Sequence, residues 1–93
     1  MILKIYAIYD MDAETFNERT FMAPNDKVAM RMMGNTLNAD KQFNDNAEHY
    51  ELHCCGTYNT ESGGIENILD AEKMPTTRKV CSIKEIEPAK RES

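Results

Sequence analysis

The residues best suited to chemistry in this sequence are its two histidines and three cysteines. His49 and His53 are four residues apart, which would place them on one face of a helix, but His53 lies in a segment whose pattern predicts a strand. Cys54 and Cys55 are adjacent, so on a strand their side chains point to opposite faces and cannot share a metal ion or a disulfide. No Cys-x-x-Cys pair is present. We therefore predict no metal site and no cofactor.

Catalytic patterns are also missing from the sequence. Sixteen carboxylates are present, but no spacing brings two of them into a shared apolar pocket where their pKa values would separate. Gly63 and Gly64 fall in a predicted hairpin turn and not before a helix, so they do not form a phosphate-binding loop. The motifs of serine hydrolases and metalloproteases are absent. The sequence predicts a nonenzymatic protein.

Binding of single-stranded nucleic acid is the other chemistry to consider, since it needs aromatic rings beside cations. Tyr6 and Lys4 lie on one face of a predicted strand, Arg31 lies on the polar side of a predicted helix, and Arg78 and Lys79 form an adjacent cationic pair. The alternative is that Tyr6 belongs to the core and that these cations are ordinary solvated surface. The residues alone favour that alternative.

We expect the chain to be organised around a hairpin in its second half. Apolar and polar residues alternate along residues 50–58, which is typical of a half-buried strand. One face carries Tyr50, Leu52, Cys54 and Tyr58. The turn at residues 59–64 ends in Gly63 and Gly64, and the chain returns as a strand from Ile65 to about Leu69.

Further strands are predicted at residues 2–9 and 78–86, with a short strand at residues 20–23 and a loop at residues 13–19. Residues 70–77 form a connector. One amphipathic helix is predicted from Lys27 to about Asn38, capped by Asn25 or Asp26. Its polar side carries Lys27, Arg31, Gly34, Asn35 and Asn38. Residues 38–48 are predicted as a loop or a frayed second helix.

The pattern of strands with one inserted helix predicts an α+β fold: a small antiparallel β-sheet of four to five strands with one amphipathic helix packed on one face. At 93 residues the chain has room for one domain, which we place at residues 1–87, followed by a polar C-terminal tail at residues 88–93.

The charge balance limits the choice of partner. Eleven basic and sixteen acidic residues give a net charge of −5, so the chain is repelled on average by nucleic acid and by anionic membranes. A local basic patch can still bind DNA. No signal peptide and no membrane-spanning stretch is found, and three cysteines do not suit a secreted disulfide framework. We expect a cytoplasmic protein without membrane contact.

Three separated segments are similar to a known family: KIYAIYD at residues 4–10, APNDKVAMR at residues 23–31 and HYELHCCGTYNTESGGIE at residues 49–66. In this order and spacing they resemble the small nonstructural protein of gokushovirus-type microviruses, which are single-stranded DNA phages. Matching positions are Lys4, Ile5, Tyr6, Ala29, Arg31, Tyr50, Leu52, Gly56, Tyr58, Thr60 and Gly63. The similarity covers about residues 1–66, and the C-terminal third is not distinctive.

The resemblance implies a nonenzymatic phage protein that binds single-stranded DNA during genome replication or packaging, in the cytoplasm of the bacterial host. The nucleic-acid-binding residues expected for this function are Lys4, Tyr6, Arg31, Tyr58, Arg78 and Lys79. A homodimer is expected because the core is thin and strand edges can pair across a two-fold axis. This chain has Met32-Met33 after Arg31, where the family often has an aromatic residue, so a stacking side chain would be missing.

The alternative function is an acidic regulatory protein that binds a phage or host replication protein without contacting DNA. The seven methionines, five of them at residues 11–33, suit either an irregular core or a partner surface. A positive patch around Lys4 and Arg31 would support DNA binding. Exposed methionines on the helix would support the alternative.

Overall fold

A computed structural model describes residues 1–87, and the predicted tail at residues 88–93 lies outside the described residues. The elements are β1 (Ile2–Asp10), β2 (Thr15–Ala23), α1 (Asp26–Ala39), α2 (Lys41–Asp45), β3 (Tyr50–Asn59), β4 (Ile65–Leu69), β5 (Pro75–Thr76) and β6 (Arg78–Ser82). Single 3₁₀ turns precede β3 at Ala47–His49 and follow β6 at Ile83–Glu85.

β3 is the central strand of an antiparallel sheet. The strand order is β2-β1-β3-β4-β5, and β6 also pairs with β3. β1 pairs along one edge of β3, while β6 and β4 share the other edge: β6 pairs with residues 51–54 and β4 with residues 56–58. Every strand pairing among residues 1–87 is antiparallel, so these strands need no crossover between parallel neighbours.

The core lies between the sheet and α1. Buried side chains come from alternate positions of β1 and β3 and from one side of α1, together with the residues that follow β6. The largest fully buried ones are Tyr6, Leu37, Leu52 and Ile83. Both helices and both 3₁₀ turns pack on this face of the sheet, which we call the helix face; the opposite face is the open face.

Irregular pairing decides which side chains reach each face. Ile5 pairs with Gly56 but Tyr6 pairs with Cys54, so Cys55 is an extra residue in β3. Such a bulge inverts the alternation of side chains beyond it. Tyr58, which pairs with Leu3, therefore lies on the open face. The prediction that Tyr58 shares a face with Leu52 is wrong for this reason.

The predicted α+β class, the antiparallel sheet and the helix on one face are confirmed, although the sheet has six strands and not four to five. Asn25 is the N-cap of α1, since its Oδ1 accepts from the Val28 N–H at 2.9 Å. Residues 38–48 do contain a short second helix, α2, which Asp40 caps through a hydrogen bond from the Phe43 N–H at 3.0 Å.

Three local predictions are wrong. Residues 15–19 are strand and not loop, because pairing with Tyr9 and Asp10 extends the ladder of β2 despite its polar sequence. The last strand ends at Ser82, where a 3₁₀ turn directs Ile83 and Ile86 into the core. Gly34 is buried and not on the polar side of α1, because it lies beside Met33 and Leu37.

Gly56 is required by the close approach of β4. A Cβ atom at this position would overlap the backbone carbonyl of Glu66, and backbone cannot move aside as a flexible side chain can. We expect Gly56→Ala to lower the free energy of unfolding by about 2 kcal/mol or more, as overpacking does. Urea denaturation followed by circular dichroism measures it.

Gly64→Ala is the matched control, because its Cβ would meet only the Ser62 hydroxyl, at 3.2 Å, and that side chain can rotate. Equal destabilisation by the two substitutions would show that the contact with β4 is not the cause.

Candidate nucleic-acid interface

Asp26, the first residue of α1, receives hydrogen-bond donors from two strands. The Tyr6 hydroxyl donates to its Oδ1 at 2.7 Å, and the Arg78 guanidinium donates to the same oxygen at 3.1 Å. The Lys4 ammonium lies 3.7 Å from this oxygen. Asp26 thus joins the start of α1 to β1 and β6.

Sheet register explains why these groups meet. Phe21, Tyr6, Cys54 and Arg78 pair in sequence across β2, β1, β3 and β6 and form one row on the helix face. Within this row the rings of Tyr6 and Phe21 stack with centroids 5.4 Å apart. Because Asn25 already caps α1, the carboxylate of Asp26 is free to lie over Tyr6 and Arg78.

The charge states of this cluster follow from its contacts. The hydrogen bond from Arg78 is the main cause that holds the pKa of Asp26 below its ordinary value, assisted by the hydrogen bond from Tyr6 and opposed by partial burial. Burial raises the pKa of the Tyr6 hydroxyl, and the Asp26 carboxylate raises it further. At neutral pH Asp26 is therefore an anion and Tyr6 a neutral donor.

Lys4 and Arg78 contact this carboxylate, and Lys27 and Arg31 follow it along α1; we call these four cations the basic patch. Lys27 and Arg31 lie one turn apart on the exposed side of α1, and neither makes a salt bridge within residues 1–87. Lys4 and Arg78 keep 38% and 45% of their side chains exposed while they contact Asp26. Asp26 is the carboxylate at the centre, and Glu66 lies two strands from Lys4 in the same row.

Four of the sixteen acidic residues lie together at another end of the molecule. Asp10, Asp12, Glu14 and Glu18 lie at or near the turn between β1 and β2. Asp10 is six residues from Lys4 along β1, or about 20 Å at about 3.3 Å per residue. The net charge of −5 is thus unevenly distributed, and the basic patch is locally positive on an acidic protein.

The structure brings Lys4 and Arg78 together at Asp26, while Arg31 lies on the exposed side of α1. Tyr6 is on the same face of β1 as Lys4, but it is fully buried, which is the alternative that the residues alone favour, so its ring is not open to a base. The reason is that α1 covers this part of β1.

The other two predicted residues lie on the open face, away from the basic patch. Tyr58 is half-buried there. The Lys79 ammonium lies 2.8 Å from Oε2 of Glu51, and this contact is the main cause that lowers the pKa of Glu51.

Lys27 and Asp26 belong to the candidate site but were not predicted as site residues. The spacing of Lys27 and Arg31, four apart on a helix, was the signal that could have identified Lys27. Asp26 had no such signal, because its hydrogen bonds join it to residues 20 and 52 positions away in the sequence.

Within residues 1–87, no group of three or more histidine, cysteine or carboxylate side chains lies close enough to hold a metal ion. No helix among the described residues is long and apolar enough to cross a membrane.

Removing the charge of Asp26 should destabilise the fold in a pH-dependent way. We expect Asp26→Asn to lower the free energy of unfolding at pH 7 by about 1–2 kcal/mol, because Tyr6 and Arg78 lose an ionised acceptor that is partly solvent-exposed. A carboxyl with a lowered pKa stabilises the fold above its ordinary pKa of 3.8 and stops doing so as the pH falls through the lowered value. The difference from wild type should therefore shrink below pH 3.8.

Urea titrations of both proteins between neutral and acid pH measure this. Asp45→Asn is the control, since Asp45 is an exposed carboxylate at the end of α2. A difference that persists unchanged at acid pH, or an equal loss in the control, would contradict the role assigned to Asp26.

Comparison with curated proteins and with solved structures gives no significant match. Comparison with protein-family models gives one, described as Phage ORF5 protein, which matches residues 3–86. The match extends from β1 to the residues after β6, so it includes the whole basic patch and residues 67–86, which the sequence resemblance did not reach. The chain belongs to the Phage ORF5 protein family, a family of bacteriophage proteins.

Proposed function

We propose that this phage protein is a nonenzymatic single-stranded DNA-binding protein that acts in viral genome replication or packaging in the cytoplasm of the host. The observation that supports the proposal is the basic patch: Lys4 and Arg78 at the Asp26 carboxylate and the exposed Lys27 and Arg31 on α1, on a chain whose net charge is −5.

The cations of the patch contact phosphates in two ways. Lys27 and Arg31 are exposed and free to meet phosphates directly. Arg78 gives one guanidinium nitrogen to Asp26 and retains further N–H donors, because a guanidinium carries five. Asp26 thereby fixes the orientation of Arg78 toward the surface.

The patch favours a particular kind of binding. Tyr6, the aromatic residue beside the patch, is buried, so bases cannot stack on its ring. Affinity therefore comes from contacts between the cations and the phosphates. Cations spread over three elements suit a flexible single strand, whose phosphates can adjust to them. We therefore expect weak sequence preference and strong salt dependence.

A second candidate function is binding of a phage or host replication protein. A groove of about 580 Å³ lies between α1 and β2, lined in part by Phe21, Met32, Met33 and Phe43. Met32 is 38% exposed, as the alternative interpretation requires of a methionine on the helix. Arg19 also lines the groove, so an apolar segment with an acidic residue beside it would fit there.

The DNA proposal is tested with a charge-matched pair of variants. We expect the wild type to bind a fluorescent single strand of about 20 nucleotides, with an affinity that falls steeply between about 50 mM and about 200 mM salt. Lys27→Glu with Arg31→Glu should weaken binding at least about tenfold and reduce the salt slope by about 1 or more. Fluorescence anisotropy measures both quantities.

The control combines Lys41→Glu with Lys84→Glu, two exposed lysines outside the patch, and gives the same net charge. It should change affinity far less than the patch variant does. Equal weakening by both pairs would assign binding to net charge alone, and no binding by the wild type at about 50 mM salt would reject DNA binding by the isolated protein.

A further inference from the structure

The open face of the sheet has no second layer within residues 1–87. Strand pairs that share a face place Leu3 beside Tyr58, Ile5 beside Met22 and Tyr9 beside Phe16 on this side. Both helices and the 3₁₀ turns pack on the other side, with Tyr6 and Leu52. A sheet usually buries both faces or presents polar side chains on the face left to water. This face does neither.

The open face is depleted of charge. The chain is 29% charged, yet the strand pairs place only Glu51 and Lys79 here among charged residues, and these two neutralise each other at 2.8 Å; Glu18 lies in the irregular part of β2, between Phe16 and Thr20. Phe16 and Met22 are 40% and 42% exposed. Depletion of charge with enrichment of aromatic residues and methionine distinguishes the core of a protein–protein interface from ordinary surface.

The imidazole of His53 and the carboxylate of Glu51 already have partners on this face. Nδ1 of His53 lies 2.9 Å from the Thr77 hydroxyl, and its Nε2 lies 3.1 Å from Oε1 of Glu51. The other oxygen of Glu51 contacts Lys79. The His53 ring also packs against Tyr9 and Phe16, with centroids 5.6 Å and 5.4 Å away. Covering the face would therefore leave none of these groups without a partner, which removes the usual penalty for burying them.

We propose that a second copy of this chain covers the open face, so that two sheets pack against each other across a two-fold axis. The charge distribution favours this occupant. Glu51 and Lys79 neutralise each other within each copy, so this pair adds no net charge to the contact although each copy carries −5 overall. The acidic turn between β1 and β2 and the basic patch both lie away from the centre of this face.

The dimensions of the face suit a stable dimer. β1 has nine residues, or about 30 Å, and four strands side by side span about 19 Å at about 4.8 Å each. The projected area of the face is about 600 Å², and its accessible area is larger because side chains protrude from the sheet. A standard interface buries about 800 Å² of accessible surface on each partner, so the open face is of the required size.

Pairing of strand edges between two copies is a less favourable way to form a dimer. β2 is the longest of the edge strands, but its pairing with β1 is irregular between Ala7 and Tyr9. The Arg19 N–H there is turned to the Asn17 side chain at 3.3 Å. Bulged edges resist addition of another strand.

DNA is also a poorer occupant of the open face, because its cation, Lys79, is neutralised by Glu51. The dimer leaves both basic patches on the outer helical layers, so the proposal does not depend on the proposed function.

Oligomeric state and a matched pair of methionine variants test the proposal. Sedimentation equilibrium of the full chain at about 100 μM should give twice the mass of 10.7 kDa. Met22→Glu places a charge on the open face and should weaken dimerisation at least about tenfold. Met32→Glu, an equally exposed methionine on α1, should leave the dimer intact.

Thr20→Arg is the second variant on the open face, since Thr20 pairs with Ala7 and is exposed. It tests the same surface if Met22→Glu fails to fold by circular dichroism. A monomeric wild type at this concentration would overturn the proposal. So would folded open-face variants that remain dimeric, or dissociation caused equally by Met32→Glu, which would place the contact on the helix face.

Discussion

The hydroxyl of Tyr6 imposes the constraint on which the rest of this structure depends. Its ring is fully buried between the sheet and α1, and a buried hydroxyl without an acceptor would destabilise the fold by about 1–3 kcal/mol. Asp26 supplies the acceptor at 2.7 Å. The start of the helix is thereby held over one row of the sheet, and that position also brings Arg78 from the distant β6 to the same carboxylate.

This contact links folding to the surface proposed for DNA. Asp26 lowers the net charge of the basic patch by one, so it opposes phosphate binding by simple attraction. It also holds Arg78 in one orientation, which reduces the entropy lost when that guanidinium meets a ligand. Asp26 therefore has two opposite effects on phosphate binding. Its charge weakens the attraction between the patch and a phosphate, and its contact with Arg78 orders one of the donors.

What the sequence could predict was local. The cap at Asn25, the strand at β1 and the shared face of Lys4 and Tyr6 follow from spacing over a few residues. Which face of β1 the helix covers did not follow, because both faces of that strand carry apolar residues. Tyr58 was misplaced by the extra residue at Cys55, and a bulge has no signature in an alternating pattern. The contacts of Asp26 required the pairing of three strands, which no local pattern contains.

The same dependence on register separates two adjacent cations. Arg78 pairs with Cys54 and lies on the helix face, while Lys79 pairs with His53 and lies on the open face. One therefore joins a locally positive surface and the other is neutralised beside Glu51. The helix side of the sheet carries the basic patch, and the open face carries few charges. The two surfaces therefore differ chemically and suit different partners. In a chain this acidic, phosphates can approach where cations outnumber carboxylates, and another protein can approach where charge is nearly absent. This division lets one thin sheet present both surfaces without competition between them.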